Sequence, residues 1–213
     1  PPRSTLFPYT TLFRSKDTER PVWPDLGGAG GRPAGNSFAE ALRVMTTIWI
    51  LAAMEDELDL LKQALRAAPE EHDLPLPFHR GRIGERPVGL AALGIGVASA
   101  SLGLGLLHRE LKGAEVIMVG SAGALPGSGL ITGDLAVAEA EWLSELGLPT
   151  GPGTADARAL GLPGLEQSAR FDARLTAAIR NAAERMAKAT FGPFLTVLSP
   201  SADLQQEIGR AHV

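Results

Sequence analysis

The stretch TTIWILAAMEDELDLLKQALRAA, residues 46–68, carries the strongest fold signal in this chain. Thr46–Ala53 is a β-branched and apolar run, which is typical of a strand buried on both faces. Leu58, Leu61 and Leu65 follow at helical spacing. The stretch therefore predicts a buried strand, a sharp turn and a helix.

Apolar runs and helical patterns alternate along the rest of the chain, which indicates an α/β domain. Further strands are predicted at Phe78–Ile83, Pro87–Leu93, Ala114–Gly120, Asp134–Trp142 and Phe191–Leu198. Further helices are predicted at Ala98–Leu111 and Asp172–Thr190. Residues 145–170 are rich in glycine and proline and are expected to form a loop.

Composition and charge exclude several classes of protein. A length of 213 residues with 45% hydrophobic residues fits one globular domain, or two at most. The net charge of −4 gives no electrostatic case for nucleic acid binding. The absence of cysteine excludes a disulfide framework and cysteine-bound zinc, and it fits a cytoplasmic protein. Residues 87–107 are uncharged and long enough to span a membrane. They are rich in glycine and serine, however, which favours a buried strand, a loop and a packed helix.

Candidate ligand-binding residues lie where the predicted strands end. Glu57 follows the first strand, and its simplest role is to complement a helix dipole. Gly94 and Gly96 follow a strand and open a helix, as either a tight turn or a set of N–H donors for an oxygen-rich ligand. Ligands of α/β proteins bind at strand carboxyl ends. We therefore expect these groups to share one cleft with the small residues of VGSAGALPG and VLSPSAD.

Three segments together resemble the nucleoside phosphorylase and nucleosidase superfamily in order and spacing. They are IWILAAMEDELDLLKQAL, ALGIGVASASLG and EVIMVGSAGALPGSGLITGDLAVAEAEW. The resemblance implies a single phosphorylase/hydrolase-like domain, with a mixed central sheet flanked by helices. GALPGSGLITGDLAVA and FGPFLTVLSPS are most similar to futalosine hydrolases of menaquinone biosynthesis. The methylthioadenosine/S-adenosylhomocysteine nucleosidases and the purine nucleoside phosphorylases are the related alternatives.

The resemblance also implies a substrate and a set of site residues. The substrate would be a purine nucleoside, no metal or organic cofactor would be needed, and a homo-oligomer would be usual. Glu57 corresponds to the acidic residue that orients the attacking water. The substrate-binding positions that the resemblance implies are Gly94, Gly96, Ser121, Ala122, Gly123, Ser199 and Ser201. Val97 departs from the lysine that is often found there in the nucleosidases.

The two ends of the chain are expected to lie outside this domain. Nucleotide sequences resembling a pair of sequencing-library adapters translate without mismatch into residues 1–15 and 207–213. Residues 16–44 are expected to be an unstructured leader from upstream of the natural start, so that residues 1–44 pack on nothing. Residues 45–206 would then be a C-terminally truncated domain. Since the family's purine-protonating acid and ribose clamp follow that segment, we expect the 213-residue chain to be inactive.

Two other classes of function remain open on the sequence alone. A nucleotide-dependent oxidoreductase would use the Gly94 loop, although the first strand-to-helix turn contains no glycine. A non-catalytic module would bind purine nucleosides and hydrolyse none.

Overall fold

The computed structural model describes residues 7–14, 46–125, 128–144, 146–150, 153–156, 167–186 and 188–198. The strands in these ranges are β1 (Phe7–Arg14), β2 (Ile48–Ala52), β3 (Ala68–Pro69), β4 (Phe78–Ile83), β5 (Arg86–Ala92), β6 (Glu115–Ala122), β7 (Leu135–Leu143), β8 (Gly147–Thr150), β9 (Gly153–Asp156), β10 (Ser168–Arg170) and β11 (Ala189–Thr196). The helices are α1 (Asp59–Leu65), α2 (Val97–Leu111) and α3 (Ala173–Met186), with a 3-10 helix at Asp56–Leu58 just before α1.

A mixed sheet forms the centre of the molecule. Within the described residues it has nine strands, in the order β10-β7-β1-β6-β2-β5-β4-β3, and β11 also pairs with β7. β2 runs parallel to both β5 and β6, whereas β4 runs antiparallel to β5. β8 and β9 form a separate two-stranded sheet. The predicted α/β fold with a mixed sheet and flanking helices is therefore confirmed.

β2 is buried on both faces, as its unbroken apolar sequence predicts. Successive side chains of a strand point to opposite faces of the sheet. Trp49 and Leu51 belong to a core cluster that also contains Leu107 of α2. Ile50 and Ala52 belong to a second cluster, against which the side chains of the 3-10 helix and α1 pack. The strand is thus fixed from both sides, and so is the position of the turn that follows it.

The expectation that residues 1–44 pack on nothing is wrong for residues 7–14. These residues form β1, which lies between β6 and β7 in the sheet. β1 pairs antiparallel with β6 from Phe7↔Ala122 to Arg14↔Glu115, and parallel with β7. The prolines suggested irregular chain, but the pairing partners lie more than a hundred residues away in sequence, where a local pattern carries no information. The adapter origin of residues 1–15 and 207–213 stays a prediction.

Three further expectations need adjustment. The predicted loop at residues 145–170 contains β8, β9 and β10. The last helix ends at Met186 rather than at Thr190, because β11 begins at Ala189 and pairs with β7. The first helix is split into a 3-10 turn and α1. In the part of the chain that the structure describes, the helices are too short or too polar to cross a membrane.

A carboxylate at the start of β6 ties the sheet to α3. Glu115 accepts hydrogen bonds from Arg86 of β5, at 2.9 Å, and from Arg174 of α3. Burial raises the pKa of the Glu115 carboxyl, but the hydrogen bonds and charges of the two arginines outweigh burial. The pKa of Glu115 therefore lies below its ordinary value, and the ionised form stabilises the fold.

Candidate active site around Glu57

The end of β2 positions the first candidate residue. β2 and β6 are neighbouring parallel strands, paired from Ile48↔Glu115 to Leu51↔Met118, so they end on the same side of the sheet. After β2 the chain turns into the 3-10 helix, which carries Glu57 toward the end of β6. Leu58, the next residue, is fully buried and anchors this helix in the core. The half-buried Glu57 side chain therefore lies between the two strand ends.

The Glu57 carboxylate is held by four hydrogen bonds. Oε2 accepts the backbone N–H groups of Ala53 and Met54, at 3.1 and 3.0 Å. Oε1 accepts the backbone N–H and the hydroxyl of Ser121, both at 3.0 Å. All four partners are donors, which suits an ionised carboxylate because it can only accept. The arrangement fixes the carboxylate in a single position between two strands.

The glycine loop before α2 lies next to the same turn. The N–H of Gly94 donates to the carbonyl oxygen of Ala53 at 3.0 Å, so the loop is bound to the residue whose own N–H holds Glu57. Gly94 and Gly96 have φ angles of 91° and 88°, which side chains disfavour. Gly96 immediately precedes α2, and its carbonyl accepts the N–H of Ala100. The two glycines thus allow the backbone conformation of the turn, and the loop lies next to the residues that hold Glu57.

Of the other predicted site residues, the structure describes Ala122 and Gly123 but not Ser199 and Ser201. Ala122 is the last residue of β6, and Gly123 follows it at an exposed position. Among the described residues, a Cβ added to Gly123 would meet nothing within 4 Å. Ser199 and Ser201 lie outside the described residues, and their part in the site stays a prediction.

The strand directions show at which side of the sheet β6 and β11 end. β11 runs parallel to β7, β7 is parallel to β1, and β1 is antiparallel to β6. β11 therefore runs opposite to β6, and the two strands have their carboxyl ends on opposite sides of the sheet. Residues 199–203 of VLSPSAD lie outside the described residues, so the expectation that this segment shares a cleft with VGSAGALPG stays a prediction.

Gly120 is a site residue that the sequence analysis missed. It is buried in β6, and a Cβ added to it would lie 3.0 Å from Glu57 Oε1 and 3.4 Å from Glu57 Cδ. A signal was present, since a glycine inside a strand often marks a close approach by another group. Sequence alone does not say which group approaches, because Glu57 is 63 residues away in the numbering.

The fold and this pair of strand ends define a class of protein. A sequence model described as the Phosphorylase superfamily matches residues 47–212. The chain belongs to that superfamily. The match covers both β2 with Glu57 and β6 with Ser121, and it continues past the predicted domain boundary at Gln206.

The similar curated proteins and solved structures are nucleosidases. The chain is 37% identical over 93 residues to a 5'-methylthioadenosine/S-adenosylhomocysteine nucleosidase of Halalkalibacterium halodurans. That match covers 44% of this chain and 40% of the relative, so the chain spans well under two thirds of the relative's length.

Two solved structures show the likeness in three dimensions. The 5'-methylthioadenosine/S-adenosylhomocysteine nucleosidase of Neisseria meningitidis, in complex with methylthio-immucillin-A, matches with a TM-score of 0.66 and 23% identity. It covers 79% of this chain and 71% of its own, and at this identity it supports the fold alone. The S-adenosylhomocysteine nucleosidase of Streptococcus pyogenes, in complex with 5-methylthiotubericidin, matches with a TM-score of 0.65 and 25% identity, over 79% of this chain and 70% of its own.

Proposed function

We propose that this chain carries the water-activating half of a purine nucleosidase site. The observation that supports the proposal most directly is the Glu57 carboxylate, held by Ala53, Met54 and Ser121 where two parallel strands end. A general base must be fixed within reach of the proton that it accepts. The nucleosidases among the relatives support the choice of reaction.

In the proposed reaction, water replaces the purine at C1′ of the ribose. The C1′–N bond breaks, its electron pair leaves with the purine, and the ribose passes through an oxocarbenium-like transition state. The water oxygen bonds to C1′ and its proton goes to Glu57. Base catalysis of this kind contributes about 10²–10⁴-fold in rate. Ser121, Ala122 and Gly123 would lie behind the ribose and base, and the Gly94 loop would lie beside the water.

Different observations favour two different classes of substrate. The names of the relatives favour 5'-methylthioadenosine and S-adenosylhomocysteine. The segments GALPGSGLITGDLAVA and FGPFLTVLSPS favour futalosine, as does the absence of an aromatic residue at positions 199–202. We propose nucleoside hydrolysis as the function common to both classes, with futalosine as the candidate from the sequence. We further propose a cytoplasmic homo-oligomer that needs no cofactor, as the resemblance implies.

Binding and base release test this proposal. Equilibrium binding of 5'-methylthioadenosine, S-adenosylhomocysteine and futalosine is measured on the 213-residue chain, and we expect saturable binding of one class. Release of the free base is measured on the chain and on a form extended after Gln206 with the matching segment of a curated relative. We expect release by the extended form without added phosphate, and its loss in Glu57→Gln.

The outcomes separate the candidate functions. Release that requires phosphate would identify a phosphorylase instead of a hydrolase. Binding without release in the extended form would favour the non-catalytic module. If neither form binds any of the nucleosides and NAD binds saturably, the nucleosidase proposal is wrong and the oxidoreductase alternative stands.

A further inference from the structure

The buried surface of β6 directly behind Glu57 is formed by a residue without a side chain. The three atoms nearest to a Cβ added at Gly120 all belong to the Glu57 carboxylate: Oε1 at 3.0 Å, and Cδ and Oε2 at 3.4 Å. The carboxylate therefore lies in the volume that any other residue at position 120 would fill.

Backbone conformation does not explain this glycine. Gly120 is not one of the described glycines with positive φ, unlike Gly94 and Gly96. It sits inside a regular strand, paired with β1 on one side, where glycine weakens a strand because it has no side chain to pack. Space, and not conformational freedom, is what the position provides.

We propose that Gly120 is a positioning residue for Glu57, which fixes the carboxylate within reach of Ser121 and of the two backbone N–H groups at the end of β2. The inference deepens the proposed function, because it concerns the residue to which that function assigns the base. Its geometric part can be tested without turnover, so the two can fail separately.

Alanine at position 120 is expected to displace the carboxylate without unfolding the protein. A contact of 3.0 Å is shorter than ordinary van der Waals contact, so one group must move. The group that must move is the end of a flexible side chain, and the displacement needed is a few tenths of an ångström. The displacement acts first on Oε1, which Ser121 bonds, and it moves Oε2 of the same rigid carboxylate, which accepts the N–H groups of Met54 and Ala53 at 3.0 and 3.1 Å.

The amide of Met54 reports that displacement from a distant point in the sequence. The chain contains four methionines, so selective ¹⁵N-methionine labelling gives few signals, and Met54→Leu assigns the relevant one. Glu57→Ala removes the acceptor and defines the chemical shift of the unbonded N–H. Gly120→Ala is expected to move the Met54 signal in the direction of that limit.

Gly192→Ala is the matched control, since Gly192 also lies in a strand and a Cβ there meets no atom of the described residues within 4 Å. It should leave the Met54 signal where it is in the parent chain. An unchanged Met54 signal in Gly120→Ala, with a clear change in Glu57→Ala, would overturn the proposal. So would an equal change in Gly192→Ala.

A double variant covers the case in which Gly120→Ala does not fold. In Glu57→Ala/Gly120→Ala the three atoms nearest to the new Cβ are absent, so the protein should fold as Glu57→Ala does. If Gly120→Ala misfolds and the double variant folds, the proposal is supported. If both of these variants misfold, Gly120 is needed for another reason and the proposal is overturned.

Kinetics on a form that turns over complete the test. Gly120→Ala should lower kcat about tenfold, since small displacements of catalytic groups cost rate, and should change KM less. If no form releases base, the proposed function fails while the Met54 signal still decides the role of Gly120.

Discussion

Replacing Gly89 with alanine should destabilise the sheet through one buried ring. Gly89 of β5 pairs with Trp49 of β2, and an added Cβ would lie 2.6–2.7 Å from three ring atoms of Trp49. The Trp49 side chain is fully buried, and its indole N–H donates to the carbonyl oxygen of Glu110 at 3.1 Å. Its ring also packs edge-on against Phe78, with 5.2 Å between centroids. The ring is rigid and enclosed, so it cannot move aside without breaking these contacts.

The magnitude follows from three contributions. Forcing a methyl group into a packed core costs about 1–3 kcal/mol. An indole N–H that loses its acceptor while buried costs about 1–3 kcal/mol more. Replacing a glycine inside a strand with alanine by itself stabilises the protein by about 0.5–1 kcal/mol, which offsets part of this cost. Together these contributions span about 1–5.5 kcal/mol, and we expect Gly89→Ala to lower the free energy of unfolding by an amount near the middle of that span, about 2–4 kcal/mol.

Urea unfolding followed by far-UV circular dichroism measures this difference. With an m-value of about 2 kcal/mol/M, the midpoint should fall by about 1–2 M. Gly192→Ala, where the new methyl group meets open space, should not lower it. Combining Gly89→Ala with Trp49→Phe should cost less than the two single changes added together, because the smaller ring leaves room. A wild-type midpoint in Gly89→Ala, or full additivity, would refute the reasoning.

Three other changes test the site, the packing of α2 and the charge at the start of β6. In the form extended after Gln206, Glu57→Gln should keep the far-UV spectrum and reduce base release by about 10²–10⁴-fold, because an amide cannot accept the water proton; near-normal release would show that Glu57 only complements the helix dipole. Gly103→Ala should lower the free energy of unfolding by about 1–2 kcal/mol, since its Cβ would lie 2.9–3.3 Å from Leu93. Gly105→Ala on the same helix, with no neighbour within 4 Å, should raise it by about 0.5–1 kcal/mol, and the order of the two melting temperatures checks both. The lowered pKa of Glu115 contributes stability above the ordinary glutamate pKa, which is lost as the pH falls through the folded-state value. Glu115→Gln should therefore be less stable at neutral pH and lose less stability on acidification, as unfolding midpoints at several pH values would show; a parallel pH dependence in both proteins would contradict this.

The local pattern of the sequence was sufficient for the elements that form the core. β2 is a continuous apolar run and β6 contains the apolar run Val116–Val119, and both were expected to be strands. Glu57 and Ser121 were both expected at strand ends, and the structure places them in contact because these two strands are parallel neighbours. Signals of this kind are carried by a few adjacent residues, so they can be read from one sequence.

The elements that the sequence did not predict depend on distant partners. β1 contains a proline, Pro8, which lacks the N–H that a central strand needs, and its position comes from the edges of β6 and β7. The direction of β11 follows from its pairing with β7, and the role proposed for Gly120 follows from a carboxylate on the 3-10 helix after β2. None of these relations leaves a periodic trace in the local sequence.

The four bonds to Glu57 bear on how the proposed base could act. A carboxylate offers about four acceptor positions, and Glu57 accepts four hydrogen bonds from the protein itself. Three of the donors are backbone N–H groups, fixed by the ends of β2 and β6. The fourth is the Ser121 hydroxyl, which can rotate about its Cβ–Oγ bond. If water transfers its proton to this site, the proton must reach Glu57 either through Ser121 Oγ or at the position on Oε1 that the hydroxyl vacates. The same serine that was expected to lie behind the ribose would therefore also control access to the base, and the backbone would not need to move for the reaction to begin.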